Sequence, residues 1–128
     1  MKVIEFILLA VGAVAGAYLR YVIVDSPVSI GGLPINVLIV NVAGSFLLGA
    51  FSVLAFGLNL DVKYTLLFAV GFCGSFTTMS SFALETSNLI DSSRFNLVVL
   101  NIIANVGLSL SSLVAGRMLG NVVLELVL

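Results

Sequence analysis

Histidine is absent from this chain, and cysteine occurs once, at Cys73. Without histidine the commonest general base and the commonest transition-metal ligand are missing. A lone cysteine excludes an intrachain disulfide framework. Charge is as scarce: 9% of the 128 residues are Asp, Glu, Lys or Arg, and they sum to −1. No basic patch exists for nucleic acid and no acidic tail for a basic partner. An enzyme built on this chain would have only a few carboxylates and hydroxyls to work with.

What fills the sequence instead is apolar. Hydrophobic residues make up 61% of it, and the mean hydropathy is +1.29. A soluble domain of this size carries about a quarter of its residues as charged side chains. Too little polar surface remains to keep the chain in water, so a lipid bilayer is its solvent.

Polar punctuation divides the chain into four apolar stretches, at about 3–24, 35–58, 64–90 and 95–119. Each exceeds the roughly 20 residues that a helix needs to cross the hydrocarbon core. The predicted fold is therefore all-α: one transmembrane domain of four spans over residues 1–128. The first run is too long for the core of a signal peptide and contains Arg20, so it reads as a mature helix. Gly120 is placed to cap the fourth span. The segment after it either continues the helix or lies at the interface.

Lys2, Lys63 and Arg117 fall on one side of this layout, and Arg20 and Arg94 on the other. So even a balance allows insertion both ways round and an antiparallel pair. A weak bias that still sets one orientation is the alternative. Gly12 with Gly16, and Ser45 with Gly49, are small-residue pairs of the kind that lets helices approach closely.

Hydrocarbon penalises polar groups without partners. In the second span Asn41, Ser45, Gly49 and Ser52 fall within an arc of about 80° at 100° per residue. The fourth repeats the pattern with Asn101, Asn105, Ser109, Ser112 and Gly116. One reading is hydrogen bonding between helices; the other, favoured by the length of both stripes, is a permeation path. Arg20, one turn from its helix end, either snorkels or pairs with a carboxylate. Glu85 is either interfacial or at the mouth of a polar path.

The third span reads Gly71-Phe72-Cys73-Gly74-Ser75-Phe76-Thr77-Thr78-Met79-Ser80-Ser81-Phe82 through its centre. Two glycines and a run of hydroxyls at mid-membrane favour an unwound turn. Carbonyls freed there are tolerated only inside protein or beside an ion, and would suit a hard cation.

The segment GFCGSFTTMSSFALE, from Gly71 to Glu85, resembles the signature of the Fluc (CrcB) fluoride channels, usually close to GFCGGLTTFSTFSxE. The resemblance extends to GAVAGAYLRY at Gly12–Tyr21 and NVLIVNVAGSFLLG at Asn36–Gly49, and so covers nearly the whole chain. It implies an antiparallel, dual-topology homodimer in the plasma membrane, the inner membrane of the cell, with fluoride as the permeant ion. It also implies a structural Na⁺ on the dimer axis, held by the main-chain carbonyls of Gly74 and Thr77. By the same resemblance the pore asparagine falls on Asn41, the two pore phenylalanines on Met79 and Phe82, and the adjacent hydroxyl pair on Ser80 and Ser81. The acidic residue near the pore falls on Glu85 and the first-helix arginine, a structural residue, on Arg20. Asn105 and Ser109, from the fourth-span stripe, complete the expected pathway. Met79 and Ser75 depart from the family pattern, replacing a phenylalanine and a glycine.

These residues suit a small anion. Fluoride accepts hydrogen bonds, so a pore must replace its water with donors that do not trap it. Amide N–H groups and hydroxyls are such donors, and the rim of Phe82 carries partial positive charge. Two other readings remain at this level: a small dual-topology multidrug transporter, whose proton-coupling carboxylate would have to be Glu5, and a non-conducting membrane scaffold.

Overall fold

A computed structural model describes residues 1–128. The chain is predominantly helical, and four helical spans are long and apolar enough to cross a membrane. We label them in five pieces: α1 (Val3–Asp25), α2 (Asn36–Gly57), α3 (62–76), α4 (Met79–Asp91) and α5 (Phe95–Val127).

The connections are short and locally determined. Between α1 and α2 the strands β1 (Ser29–Ile30) and β2 (Leu33–Pro34) pair antiparallel around Gly31 and Gly32. Those glycines hold φ of 60° and 86°, the two left-handed positions that a tight two-residue hairpin demands. Buried Asn36 ties the loop to the start of α2. Its Nδ2 donates to the carbonyls of Ile23 (2.6 Å) and Ser26 (3.0 Å), and its Oδ1 accepts from the Val28 amide (2.6 Å). Asp61 opens α3 by accepting the Lys63 amide at 3.0 Å.

Glycines set how closely the spans pack. α1 lies against α3 through Gly12 and Gly16, where an added methyl would strike the backbone of Leu67 or Phe72. α2 lies against α5 through Gly49 and Gly116, each facing the partner's backbone. Backbone-to-backbone approach of this kind replaces the hydrophobic driving force that lipid removes. Phe51, Phe68, Phe72 and Phe76 form a ladder with ring centroids 4.9–5.6 Å apart, which fills the space between α2 and α3.

Three features differ from, or add to, the sequence reading. The last helix runs through Gly120 to Val127. Gly120 is buried and faces the backbone of Ala50, so close packing rather than helix termination explains it. Thr65–Cys73 and Ala104–Leu108 are wound as π-helix, a register that often marks functional positions. Finally, Thr77 (φ −79°, ψ 156°) and Thr78 (φ −151°, ψ 117°) are extended between α3 and α4.

Beside a small apolar core at Val37, Val40 and Phe76, the chain buries amides and exposes large apolar side chains. Asn101 is 0% exposed and Asn105 5%, while Phe56 is 91% exposed and Met79 73%. Amides lie inside and hydrocarbon side chains face outward, as the low charge of the sequence requires.

Candidate functional site

The extended step at Thr77–Thr78 lies against the middle of α2 and the π-helical turn of α5. A cavity of about 380 Å³ opens at this meeting point. Asn41 and Ser45 project into it from α2, one turn apart. Thr77, Thr78, Met79 and Phe82 line it from the step and the first turn of α4. Asn105 and Ser109 close it from α5.

Asn41 is fixed on three sides. Its Oδ1 accepts the Thr78 amide at 2.8 Å; its Nδ2 donates to the Thr78 carbonyl at 3.2 Å and to Asn105 Oδ1 at 3.1 Å. Asn105 Nδ2 donates to Asn101, at 2.9 Å to Oδ1 and 3.1 Å to the carbonyl. Asn101 Nδ2 continues to Thr86 Oγ1 at 3.1 Å, and Thr86 donates to the Phe82 carbonyl at 2.8 Å. Thr78 caps α4 by accepting the Ser81 amide at 3.1 Å. Its hydroxyl also lies 3.1 Å from Ser81 Oγ and 3.2 Å from Ser80 Oγ.

One donor on the cavity wall is unused. Ser109 Oγ is buried and has no hydrogen-bond partner. A hydroxyl left alone in a dry environment forfeits free energy unless something fills its valence. Of the sequence-predicted site residues, Asn41, Met79, Phe82, Asn105 and Ser109 thus share one cavity, with Thr77 beside them.

The others lie elsewhere. Ser81 and Arg20 line a second cavity of about 350 Å³ with Tyr21 and Asp25. Arg20 forms no salt bridge; the one ion pair in the chain joins Lys63 to Asp61 at 3.8 Å. Ser80 is exposed, and Glu85 lines neither cavity, with Oε2 buried and unpartnered.

Nor do the two stripes form one path along their full length. Ser112 Oγ donates to the Val42 carbonyl of α2 at 2.7 Å, and Ser52 Oγ to its own helix at Gly49. Gly49 and Gly116 are packing surfaces. Asn41 and Ser45 of one stripe and Asn105 and Ser109 of the other face the cavity, while Asn101 lies behind it and the remaining members hold helices together. Sequence reasoning counted Asn101 as a stripe member and passed over Thr86. The cue for both was spacing across helices, which one sequence does not display.

The step also bears on cation binding. In a continuous helix the Thr78 amide would close on the Gly74 carbonyl, but here it donates to Asn41. The Gly74 carbonyl loses that donor, and Gly74 lies exposed, with only the Ala69 carbonyl, at 3.7 Å, near where a side chain would stand. An uncharged carbonyl oxygen released at a helix end is the donor type that a hard cation takes.

A family model described as "CrcB-like protein, Camphor Resistance (CrcB)" matches residues 7–117. A relative from Nitrosopumilus maritimus, named fluoride-specific ion channel FluC, is 52% identical over 125 residues, covering 98% of this chain and 99% of its own. Proteins of the same name from Sulfurihydrogenibium sp. and Methanococcus vannielii are 42% and 36% identical over 118 residues. They cover 90% and 91% of this chain and 95% and 96% of their own.

Proposed function

Since the chain belongs to the CrcB family, we propose that it is a fluoride-selective channel of the plasma membrane, letting F⁻ leave the cell passively and relieving its toxicity. It performs no catalysis. The observation that carries this reading is the gathering of Asn41, Ser45, Thr78, Asn105 and Ser109 beside the Phe82 ring around one cavity within the membrane-spanning bundle.

A fluoride ion entering the cavity would draw on the Ser109 O–H once that side chain turns toward it, and on the edge of Phe82 as a weaker donor. Asn41 and Asn105 give the walls their polarity while their own hydrogen bonds hold them still. No Lys or Arg lines this cavity, so no full positive charge traps the ion. Met79 supplies an apolar, adaptable wall where relatives of the Fluc pattern carry phenylalanine. Ser80, Ser81 and Glu85 line the approach, and Arg20 serves a structural role beside Asp25 in the second cavity.

The working unit in this reading is an antiparallel homodimer. The balanced Lys and Arg count supports it, as does the outward-facing Gly74. The Gly74 and Thr77 carbonyls of both copies would hold Na⁺ at the centre. That cation would neutralise carbonyl dipoles and lower the cost of an anion nearby. The role proposed for the step between α3 and α4 is to turn those carbonyls toward the partner.

The multidrug-transporter reading loses its only candidate carboxylate. Glu5 accepts the Lys2 amide at 2.8 Å and so closes the first turn of α1. Purified protein in liposomes tests the proposal. Fluoride leaves the vesicles far faster than chloride on this reading; vesicles that retain fluoride like protein-free ones refute it.

A further inference from the structure

We infer that Thr86 and Asn101, neither of which lines the cavity, are positioning residues that hold the Asn105 amide, and with it the Asn41–Asn105 bond, through a one-way hydrogen-bond relay. The inference rests on the fluoride-channel reading and adds to it residues outside the resemblance.

The direction of the relay follows from its ends. It starts at the Thr78 backbone N–H, which can only donate, and Asn41 Oδ1 receives it at 2.8 Å. With its oxygen so committed, Asn41 turns Nδ2 toward Asn105 Oδ1. Asn105 must then donate from Nδ2, which it does to Asn101 Oδ1, and Asn101 in turn to Thr86 Oγ1. The relay finishes at the Phe82 carbonyl, which can only accept, and Thr86 O–H donates to it at 2.8 Å. An asparagine amide alone is ambiguous, since its oxygen and nitrogen have nearly the same shape. Here both termini are backbone groups of fixed polarity. Reversing any one amide would set oxygen against oxygen or N–H against N–H.

The path also closes on itself in space. Thr78 and Phe82 stand one helical turn apart, and the relay leaves the first, crosses α2 and α5, and returns to the second through Thr86. Three elements are thereby clamped around one cavity. Asn101 is fully buried, so no water substitutes for a lost member. Cutting the far end at Thr86 would free Asn101 to turn and leave Asn105 Nδ2 with only the Asn101 carbonyl to hold it, while Asn41 keeps both of its bonds to the Thr78 backbone. The cavity wall would lose its single arrangement although no residue on it had changed.

Thr86→Val keeps the branched shape and removes the hydroxyl; Thr86→Ser keeps the hydroxyl. Each is reconstituted in liposomes, and fluoride efflux and fluoride-over-chloride discrimination are measured. Thr86→Val is expected to lose on the order of tenfold in flux and to discriminate less, because a buried amide loses its partner. Thr86→Ser is expected to stay close to the parent protein. Should Thr86→Val aggregate, Thr86→Val combined with Asn101→Leu removes both partners, and Asn105 Nδ2 keeps only the backbone carbonyl of residue 101. That variant is expected to fold and still conduct poorly. Parent-like flux and discrimination in Thr86→Val or in the double variant overturn the relay, as does an equal loss in Val and Ser variants. Parent protein that leaks no fluoride overturns the channel reading instead.

Discussion

Adding one methyl group where α2 meets α5 puts the packing argument at risk most directly. A Cβ at Gly116 would lie 3.0 Å from the Ala50 nitrogen and the Phe46 carbonyl carbon, and nearer still to the Phe46 oxygen. Backbone atoms cannot swing aside as a side chain does, so the helices must part. Reaching ordinary contact requires at least about 0.4 Å of separation, and over-packing of this sort costs roughly 1–3 kcal/mol. The same displacement carried to the cavity stretches the 3.1 Å Asn41–Asn105 bond to about 3.5 Å or beyond, where it ceases to hold. Gly116→Ala is therefore expected to lower both the thermal unfolding midpoint in detergent and fluoride efflux. Gly107→Ala is the control, since nothing stands within 4 Å of the Cβ it would add. Parent-like stability and efflux in Gly116→Ala, or an equal loss in Gly107→Ala, would refute the reasoning.

The remaining expectations concern the cavity and its surroundings. Asn41→Asp sets carboxylate oxygens against the Thr78 carbonyl and Asn105 Oδ1 and places a negative charge on the wall. Fluoride efflux should fall by at least tenfold, which is about 1.4 kcal/mol, while size-exclusion behaviour is unchanged; undiminished efflux removes Asn41 from the site. Ser109→Ala deletes the unpartnered donor and Phe82→Ile the ring edge, and each should slow efflux in the same vesicles, with normal rates clearing the residue concerned. Exchange of Na⁺ for K⁺ should weaken the dimer by cross-linking or light scattering; an assembly indifferent to that exchange argues against carbonyls of Gly74 and Thr77 as cation ligands.

Much of this architecture is legible in the residue order. Four spans follow from hydropathy alone, and the placing of Asn41 and Asn105 on a polar path from their repeat on two helices, whereas the hairpin at Gly31-Gly32 emerges only from the structure. The failures share a cause. Gly120 has the signature of a helix end, yet α5 continues because Ala50 sits opposite, and no local rule reports what sits opposite. The π-helical turns at Thr65–Cys73 and Ala104–Leu108 have no compositional mark, since any residue can shift register when packing favours it. Hydroxyl and amide counts located the polar stripes, but whether Ser112 faces a cavity or a carbonyl depends on helix rotation. Thr86 went unnoticed because it is an ordinary polar residue until Asn101 is placed beside it.

The spans are unequal, and the inequality has an effect outside the membrane. α2 has 22 residues while α5 has 33, so α5 is about 50 Å long where the oily layer is about 30 Å. A helix that long must tilt in the bilayer or carry its excess beyond a face as a rigid stub. Two copies inserted head to tail would in the latter case raise one such stub on each side, giving the cell interior and the outside world the same profile to meet.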